Sequence, residues 1–189
     1  GYGPRLSSLV GLLGSVYHLS HRKVQGLLDQ VLGIEASTGA INSIRCRLSD
    51  SLAALVEEAA AAIRREKVAH IDETGGPMGN ADGNNPDGRR GWLWVMVTPV
   101  LTVFQQVLSR SAAAARQLLG DNYGGIVVSD RYSAYSWLPL EQRQLCWAHI
   151  KRDLTAIAER SGVSAPVGRD LLELENQLFH QWHRWRDGE

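Results

Sequence analysis

The chain has 189 residues, 44% hydrophobic and 21% charged, and its 20 Lys and Arg are balanced by 20 Asp and Glu. That length holds one good-sized domain, or a small helical unit plus one α/β domain, and the mixture excludes wholesale disorder. Zero net charge gives no global signal for nucleic acid or membrane, although a local basic surface is enough to bind DNA. Two cysteines, Cys46 and Cys146, make neither a disulfide framework nor a four-cysteine zinc site, so a reducing, cytoplasmic compartment is expected. No apolar run approaches the roughly 18 residues of a membrane-spanning helix, and no signal-peptide pattern opens the sequence. With no initiator Met and no finishing element around Trp185-Arg186-Asp187-Gly188-Glu189, the sequence reads as a fragment.

Residues 6–32 carry helical spacing. Leu6, Leu9, Val10, Leu13, Val16 and Tyr17 recur at intervals of three and four. A second helix begins after Ser20, an N-cap residue, with Val24, Leu27, Leu28, Val31 and Leu32 on one face, and Gly33 ends it. Ser37-Thr38 caps a short third helix, which completes the outline of a helix-turn-helix unit. Residues 1–49 hold five basic side chains (Arg5, Arg22, Lys23, Arg45, Arg47) against two acidic ones (Asp29, Glu35). That local excess suits a phosphate backbone; a plain helical cap is the alternative. A further Ala-rich helix over Ser49–Lys67, with Leu52, Leu55, Val56, Ala59, Ala60 and Ile63 as its stripe, links this segment to the rest.

At residue 68 the period changes. Val68–Thr74 reads as a strand ended by Gly75-Gly76-Pro77, and the Gly/Asn-rich stretch through Arg90 as a long mobile loop. Gly91–Thr98 is a nearly continuous apolar strand, Pro99 turns the chain, and Val100–Leu108 is a third β-rich run. Ser111 caps a helix that stops at Gly120. Gly125–Ser129 is a buried strand, followed by a short helical segment near Tyr132–Trp137, a strand at Gln144–Trp147 and a helix from His149 to Arg160. From residue 68 the order is β, β, β, α, β, α, β, α.

Two aspartates occupy equivalent places in this order. Asp72 and Asp130 each close an apolar strand, where ligands of open α/β sheets collect. Two carboxylates meeting there repel unless a cation lies between them, and hard oxygen donors select Mg²⁺ or Mn²⁺. A paired-metal site of that kind serves phosphodiester chemistry. The plainer alternative is that each Asp caps a turn.

Four blocks, in order, strongly resemble the transposases of the IS66 insertion-sequence family: His70-Ile71-Asp72-Glu73-Thr74-Gly75, Trp92-Leu93-Trp94-Val95, Val128-Ser129-Asp130-Arg131-Tyr132-Ser133-Ala134-Tyr135 and Cys146-Trp147-Ala148-His149-Ile150-Lys151-Arg152-Asp153. The resemblance extends to Tyr2-Gly3-Pro4-Arg5 and to Ala156–Arg160. It implies an α/β fold with a ribonuclease H-like mixed sheet and flanking helices, here preceded by the all-α, helix-turn-helix-like segment. It also implies a DDE active site, in which two Asp and one Glu hold divalent metal for DNA cleavage and strand transfer, with Asp72 first and Asp130 second. The third carboxylate sits, in the family, beyond an inserted helical region, and no such motif occurs here. Glu159, Glu173 and Glu175 lie on helical stretches without its context. Glu173 and Glu175 are expected on a solvent face, because Leu171, Leu172, Leu174 and Leu178 supply a core face. The expected organisation is a helical DNA-binding segment over 1–67, an incomplete catalytic core over 68–160 and the start of an inserted helical region over 161–189.

The remaining candidates are weaker. Glu73 neighbours Asp72 but points to the opposite side of a strand. Cys146-x-x-His149 has zinc-like spacing without a second pair, and His180-x-x-His183 lies on an amphipathic surface beside Trp182 and Trp185. Arg131, Lys151 and Arg152 stand near the two aspartates, where phosphate contacts are useful, as Arg22 and Lys23 do on the N-terminal helices. Tyr132, Tyr135 and Trp147 could stack on splayed bases or pack in the core. The expected activity is that of an IS66-type DNA transposase, a homo-oligomer on element ends and target DNA. A catalytically inactive, binding-only fragment and a ribonuclease H-like nuclease without strand transfer are the alternatives.

Overall fold

The computed structural model describes residues 2–80 and 83–188, and the chain forms two compact units that meet in sequence at Ala59 and Ala60. The first unit is all-α: α1 (Pro4–Ser15), α2 (His21–Leu32) and most of α3 (Thr38–Ile63). Ser20 caps α2, its side chain accepting from the Lys23 amide, and Gly33 ends the helix at φ 62°, a left-handed value suited to glycine. The Ser37 hydroxyl then accepts from the Ala40 amide at 3.1 Å to open α3. Val10, Leu13, Val24, Leu28, Ala36, Ile41 and Ile44 make the core of this unit.

Two expectations fail here. The third helix and the Ala-rich helix are one continuous 26-residue helix, because nothing between Ile41 and Ser51 interrupts the backbone ladder and the sequence favours helix throughout. Its supposed stripe is largely in water: Leu52, Leu55 and Val56 are exposed, while Ile63 is buried. Val16, Tyr17 and Val31, assigned to apolar faces, are exposed as well.

The second unit is α/β. It runs β1 (Val68–Gly76), β2 (Gly91–Val97), β3 (Thr102–Val107), α4 (Ala112–Leu119), β4 (Ile126–Ser129), a 3₁₀ turn (Ser133–Tyr135), β5 (Arg143–Leu145), α5 (Trp147–Ala158) and α6 (Ser164–Asp187). The sheet order is β3-β2-β1-β4-β5. β2 is antiparallel to both its neighbours, whereas β1, β4 and β5 are parallel. This five-stranded mixed sheet with flanking helices is compatible with a ribonuclease H-like fold. Of the loop between β1 and β2, residues 81 and 82 lie outside the described residues. The remainder is organised rather than loose, because the buried Asn85 side chain donates to the Met78 and Arg89 carbonyls and accepts from the Arg89 amide, each at 2.8–2.9 Å.

Alternation along the strands gives the sheet two unlike faces. Ala69, Ile71, Trp94, Met96, Val103 and Val127 are buried on the face that receives Ala115, Leu118 and Leu119 of α4 and Tyr135. The other face carries Val68, Leu93, Val97, Phe104 and Ile126, all between 37% and 59% exposed.

α5 and α6 pack as an antiparallel pair joined by residues 159–163. The face of α6 turned to α5 is Ala165, Gly168, Leu172, Glu175 and Phe179, not the leucine face expected from sequence. The reason is steric. A Cβ on Gly168 would lie 2.7 Å from the Ala158 Cα, so only a hydrogen lets the backbones approach this closely. Leu171, Leu174 and Leu178 are left exposed. Gly168→Ala should therefore destabilise the second unit by about 1–3 kcal/mol through overpacking. Gly26→Ala, in α2 with open space around it, should stabilise the first unit by about 0.5–1 kcal/mol through helix propensity. Urea unfolding of the two variants checks both signs.

Candidate functional site

The parallel pairing of β1 with β4 aligns Val68 with Ile126, Ala69 with Val127 and His70 with Val128. The pairing ends there, with Asp72 two residues further along β1 and Asp130 one residue past the end of β4. Paired strands lie about 4.8 Å apart, and residues in parallel register share a face. Asp72 follows Val68 and His70 on the open face, whereas Asp130 lies beyond β4, within electrostatic reach of Glu73, Arg110 and Tyr135. Each carboxylate is already oriented by one backbone amide: Asp72 Oδ1 accepts from the Glu73 N–H at 3.0 Å, and Asp130 Oδ1 accepts from the Tyr132 N–H at 2.9 Å. The Asp130 bond is the turn-capping role foreseen as the plainer alternative, whereas Asp72 lies inside β1, four residues before its end; each bond occupies one carboxylate oxygen. Two hard oxygen donors side by side could still hold a divalent cation. Among the described residues no three or more His, Cys, Asp and Glu side chains gather closely enough to do so.

Glu73 points away from Asp72, as alternation requires, and its side chain is fully buried. Its two oxygens are both used: Oε1 accepts from Arg110 Nε at 2.8 Å, and Oε2 accepts from the Tyr135 hydroxyl. Burial pushes the Glu73 carboxyl above its ordinary pKa, against the bonds from Tyr135 and Arg110, which lower it. The Tyr135 hydroxyl is also pushed up, first by burial, then by its bond to Glu73 and by the negative charges of Glu73, Asp130 and Asp72. The Tyr135 hydroxyl therefore lies within electrostatic reach of both aspartates. Desolvation works to lower the Arg110 pKa, but the bond and charge of Glu73 outweigh it and the guanidinium is raised. That guanidinium lies 3.8 Å from the Tyr132 ring centre and 4.9 Å from that of Trp92. Tyr135 packs edge-on against Trp94 at 6.1 Å. Both tyrosines thus serve packing around this cluster.

A profile of the family described as "Transposase IS66 family" matches residues 2–188. The chain belongs to this family. No curated protein matches it. The DDE designation of the IS66 transposase profile implies dependence on divalent metal. No helix among the described residues is long and apolar enough to cross a membrane.

The other sequence-derived candidates of this IS66-family chain are placed as follows. Arg131 pairs with Asp153 of α5, both partly in water. Lys151 is committed to α6, its ammonium 2.9 Å from Glu175. Glu175 is therefore not on a solvent face: it is buried, and its charge is what Lys151 offsets. Glu173 is exposed and accepts from Gln177; Glu159 follows α5 at its C-cap, exposed. Arg152 is exposed on α5, and Arg22 and Lys23 are exposed in the first turn of α2. Cys146 and His149 open α5, where the His149 Nδ1 atom is buried with no hydrogen-bond partner among the described residues. His183 joins Phe179 and Trp182 in a ring cluster with Trp147, bordering a cleft of about 490 Å³ beside His70 and Val128.

Arg110 was not legible as a site residue: it stands alone in Ser109-Arg110-Ser111, with no period or motif around it. Glu73 carried a signal, since a charged residue at an alternating core position of a strand must find partners. The Lys151 and Glu175 pair is half in water, so Lys151→Ala should destabilise by about 1–2 kcal/mol, less than a fully buried pair. Arg152→Ala should stay within about 0.5 kcal/mol. Thermal and urea unfolding of the two variants separates the roles of these adjacent cations.

Proposed function

We propose that the protein works as a DNA transposase of the IS66 type on a ribonuclease H-like core, with Asp72 and Asp130 as two carboxylates of a Mg²⁺ or Mn²⁺ site. The observation that carries this reading is the parallel β1–β4 pairing, which supports two acidic residues lying near each other where β4 ends beside β1. The donor set fits the ion: oxygen only, anionic, with one oxygen of each carboxylate fixed by a backbone amide and the other left for coordination. When bound, the metal would stabilise the attacking and leaving oxygens of an in-line phosphodiester displacement. The chain's own residues bind and orient. Asp72 and Asp130 set where charge is neutralised, Arg152 and Arg131 offer phosphate contacts on and beside α5, and Lys151 contributes there only as far as Glu175 releases it.

The helix-turn-helix-like first unit is the proposed DNA-binding part, and Arg22 and Lys23 are its proposed phosphate contacts. Both cations sit in the first turn of α2, where the helix dipole disfavours positive charge by about 0.3–1 kcal/mol each. A phosphate placed there relieves that repulsion. Pairing two element ends calls for a homo-oligomer on DNA.

Mn²⁺ titration and cleavage of element-end DNA test the reading together. Asp72→Ala and Asp130→Ala should each weaken Mn²⁺ binding and lower any cleavage by at least about 10²–10³-fold. Cleaved 3′-ends that are never joined to a second DNA would point to a nuclease, and DNA binding with no cleavage under any metal to a binding-only role. Equal Mn²⁺ affinity in wild type and both variants would remove the aspartates from the metal site.

DNA affinity should fall steeply with salt. Replacing Arg22 and Lys23 by Ala should weaken binding to all sequences alike and lower the salt slope by about 1 for each phosphate no longer neutralised. Fluorescence anisotropy between low and physiological salt reads both. An unchanged slope would make the first unit a structural cap.

A further inference from the structure

Asp130 lies one residue beyond the end of β4, so the strand ladder does not hold it. What holds it is the turn that follows. The Tyr132 amide donates to its carboxylate, the Tyr132 ring lies against the Arg110 guanidinium, and Arg110 donates to Glu73. Tyr135, at the end of the same turn, donates to the other Glu73 oxygen and is itself fully buried. Glu73 is the residue after Asp72, and its own amide donates to the Asp72 carboxylate. The contacts therefore close on themselves, from one aspartate through the buried glutamate to the other.

We infer that Glu73, with Tyr135 and Arg110 bound to it, is a positioning residue that sets the Asp130 carboxylate against Asp72. The inference rests on the reading of the two aspartates as metal ligands. Glu73 is not a third ligand in this arrangement, because it faces the covered side of the sheet and both its oxygens already accept. Its two carboxyl oxygens are the chemistry required: two donors converge on the group, and each finds its own acceptor oxygen. A glutamine in the same place presents one acceptor oxygen and an NH₂, so it no longer accepts from both Tyr135 and Arg110, and the charge that Arg110 pairs with is gone. The side chain does not touch the reacting atoms. It acts through the 131–135 turn, as groups behind metal ligands commonly do, where their loss costs about 10–100-fold in metal affinity.

The test uses the full chain with Glu73→Gln, Tyr135→Phe and Arg110→Lys. Tyr135→Phe keeps the ring that packs on Trp94 and removes only the hydroxyl, so it stays informative if Glu73→Gln fails to fold. Two readouts are taken: Mn²⁺ affinity by electron paramagnetic resonance, and amide hydrogen exchange over residues 130–136 without metal. The expected result is a Kd for Mn²⁺ raised about tenfold, with exchange in that segment faster by a similar factor and exchange in β2 and β3 unchanged. Affinity and exchange within twofold of wild type in both Tyr135→Phe and Arg110→Lys would overturn the inference. So would faster exchange spread evenly over the whole sheet, which is the mark of a group that only holds the fold together. If wild type binds Mn²⁺ no better than Asp72→Ala and Asp130→Ala, the metal reading fails by itself. The exchange measurement then still decides whether Glu73 holds the Asp130 turn.

Discussion

The parallel pairing of β1 with β4 is the contact on which the second unit depends. It joins segments separated by two strands and a helix, and it makes β1 the central strand, with an antiparallel partner on one side and a parallel one on the other. Such a pairing forms only after a long loop closes, and apolar burial must offset that entropy. Ala69, Ile71 and Val127 supply it on the covered face, together with Trp94 and Met96 from the neighbouring strand. Chain reversal at Gly125 is equally constrained: a Cβ there would lie 2.7 Å from the carbonyl oxygens of Glu66 and Lys67. This register fixes where β4 ends beside β1, and the turn after β4 then places Asp130.

Glu73 shows how the covered face accommodates charge. A carboxylate without solvent is costly unless donors reach it, and Arg110 and Tyr135, 37 and 62 residues further along the chain, both do so. Arg110 remains about one third exposed, so its charge is shared between the interior and the surface. The stacking of its guanidinium between Trp92 and Tyr132 uses the planar, weakly hydrated character that lysine lacks.

Much of this architecture could be read from the residues. The succession of strands and helices along the chain, the caps at Ser20 and Gly33 and the family itself followed from short-range signals, because alternation, capping chemistry and motif blocks are local. The errors share a different origin. Four leucines of α6 look like a core stripe, yet only Leu172 turns toward α5, because the close approach of Gly168 to the Ala158 backbone sets which face of the helix packs. The Ser49–Lys67 helix reads as separate from its predecessor although no residue breaks it. The loop before β2 reads as mobile from its glycines and asparagines, but one of those asparagines is the buried hub that fixes it. Lys151, Glu175 and Arg110 escape a local reading because their partners lie far along the chain, and no local pattern encodes a long-range ion pair.

The unequal faces of the sheet have a practical outcome. Val68, Leu93, Val97, Phe104 and Ile126 each present apolar surface to water on one face while the opposite face is packed. Exposed apolar side chains on one face of a folded chain make it sticky. A fluorescent probe of hydrophobic surface, whose brightening is one mark of a molten globule, should therefore brighten on the native fold of this protein. For this chain such brightening alone is no measure of unfolding, and near-ultraviolet circular dichroism, which senses fixed aromatic packing around Trp94 and Tyr135, is the sounder gauge of the folded state.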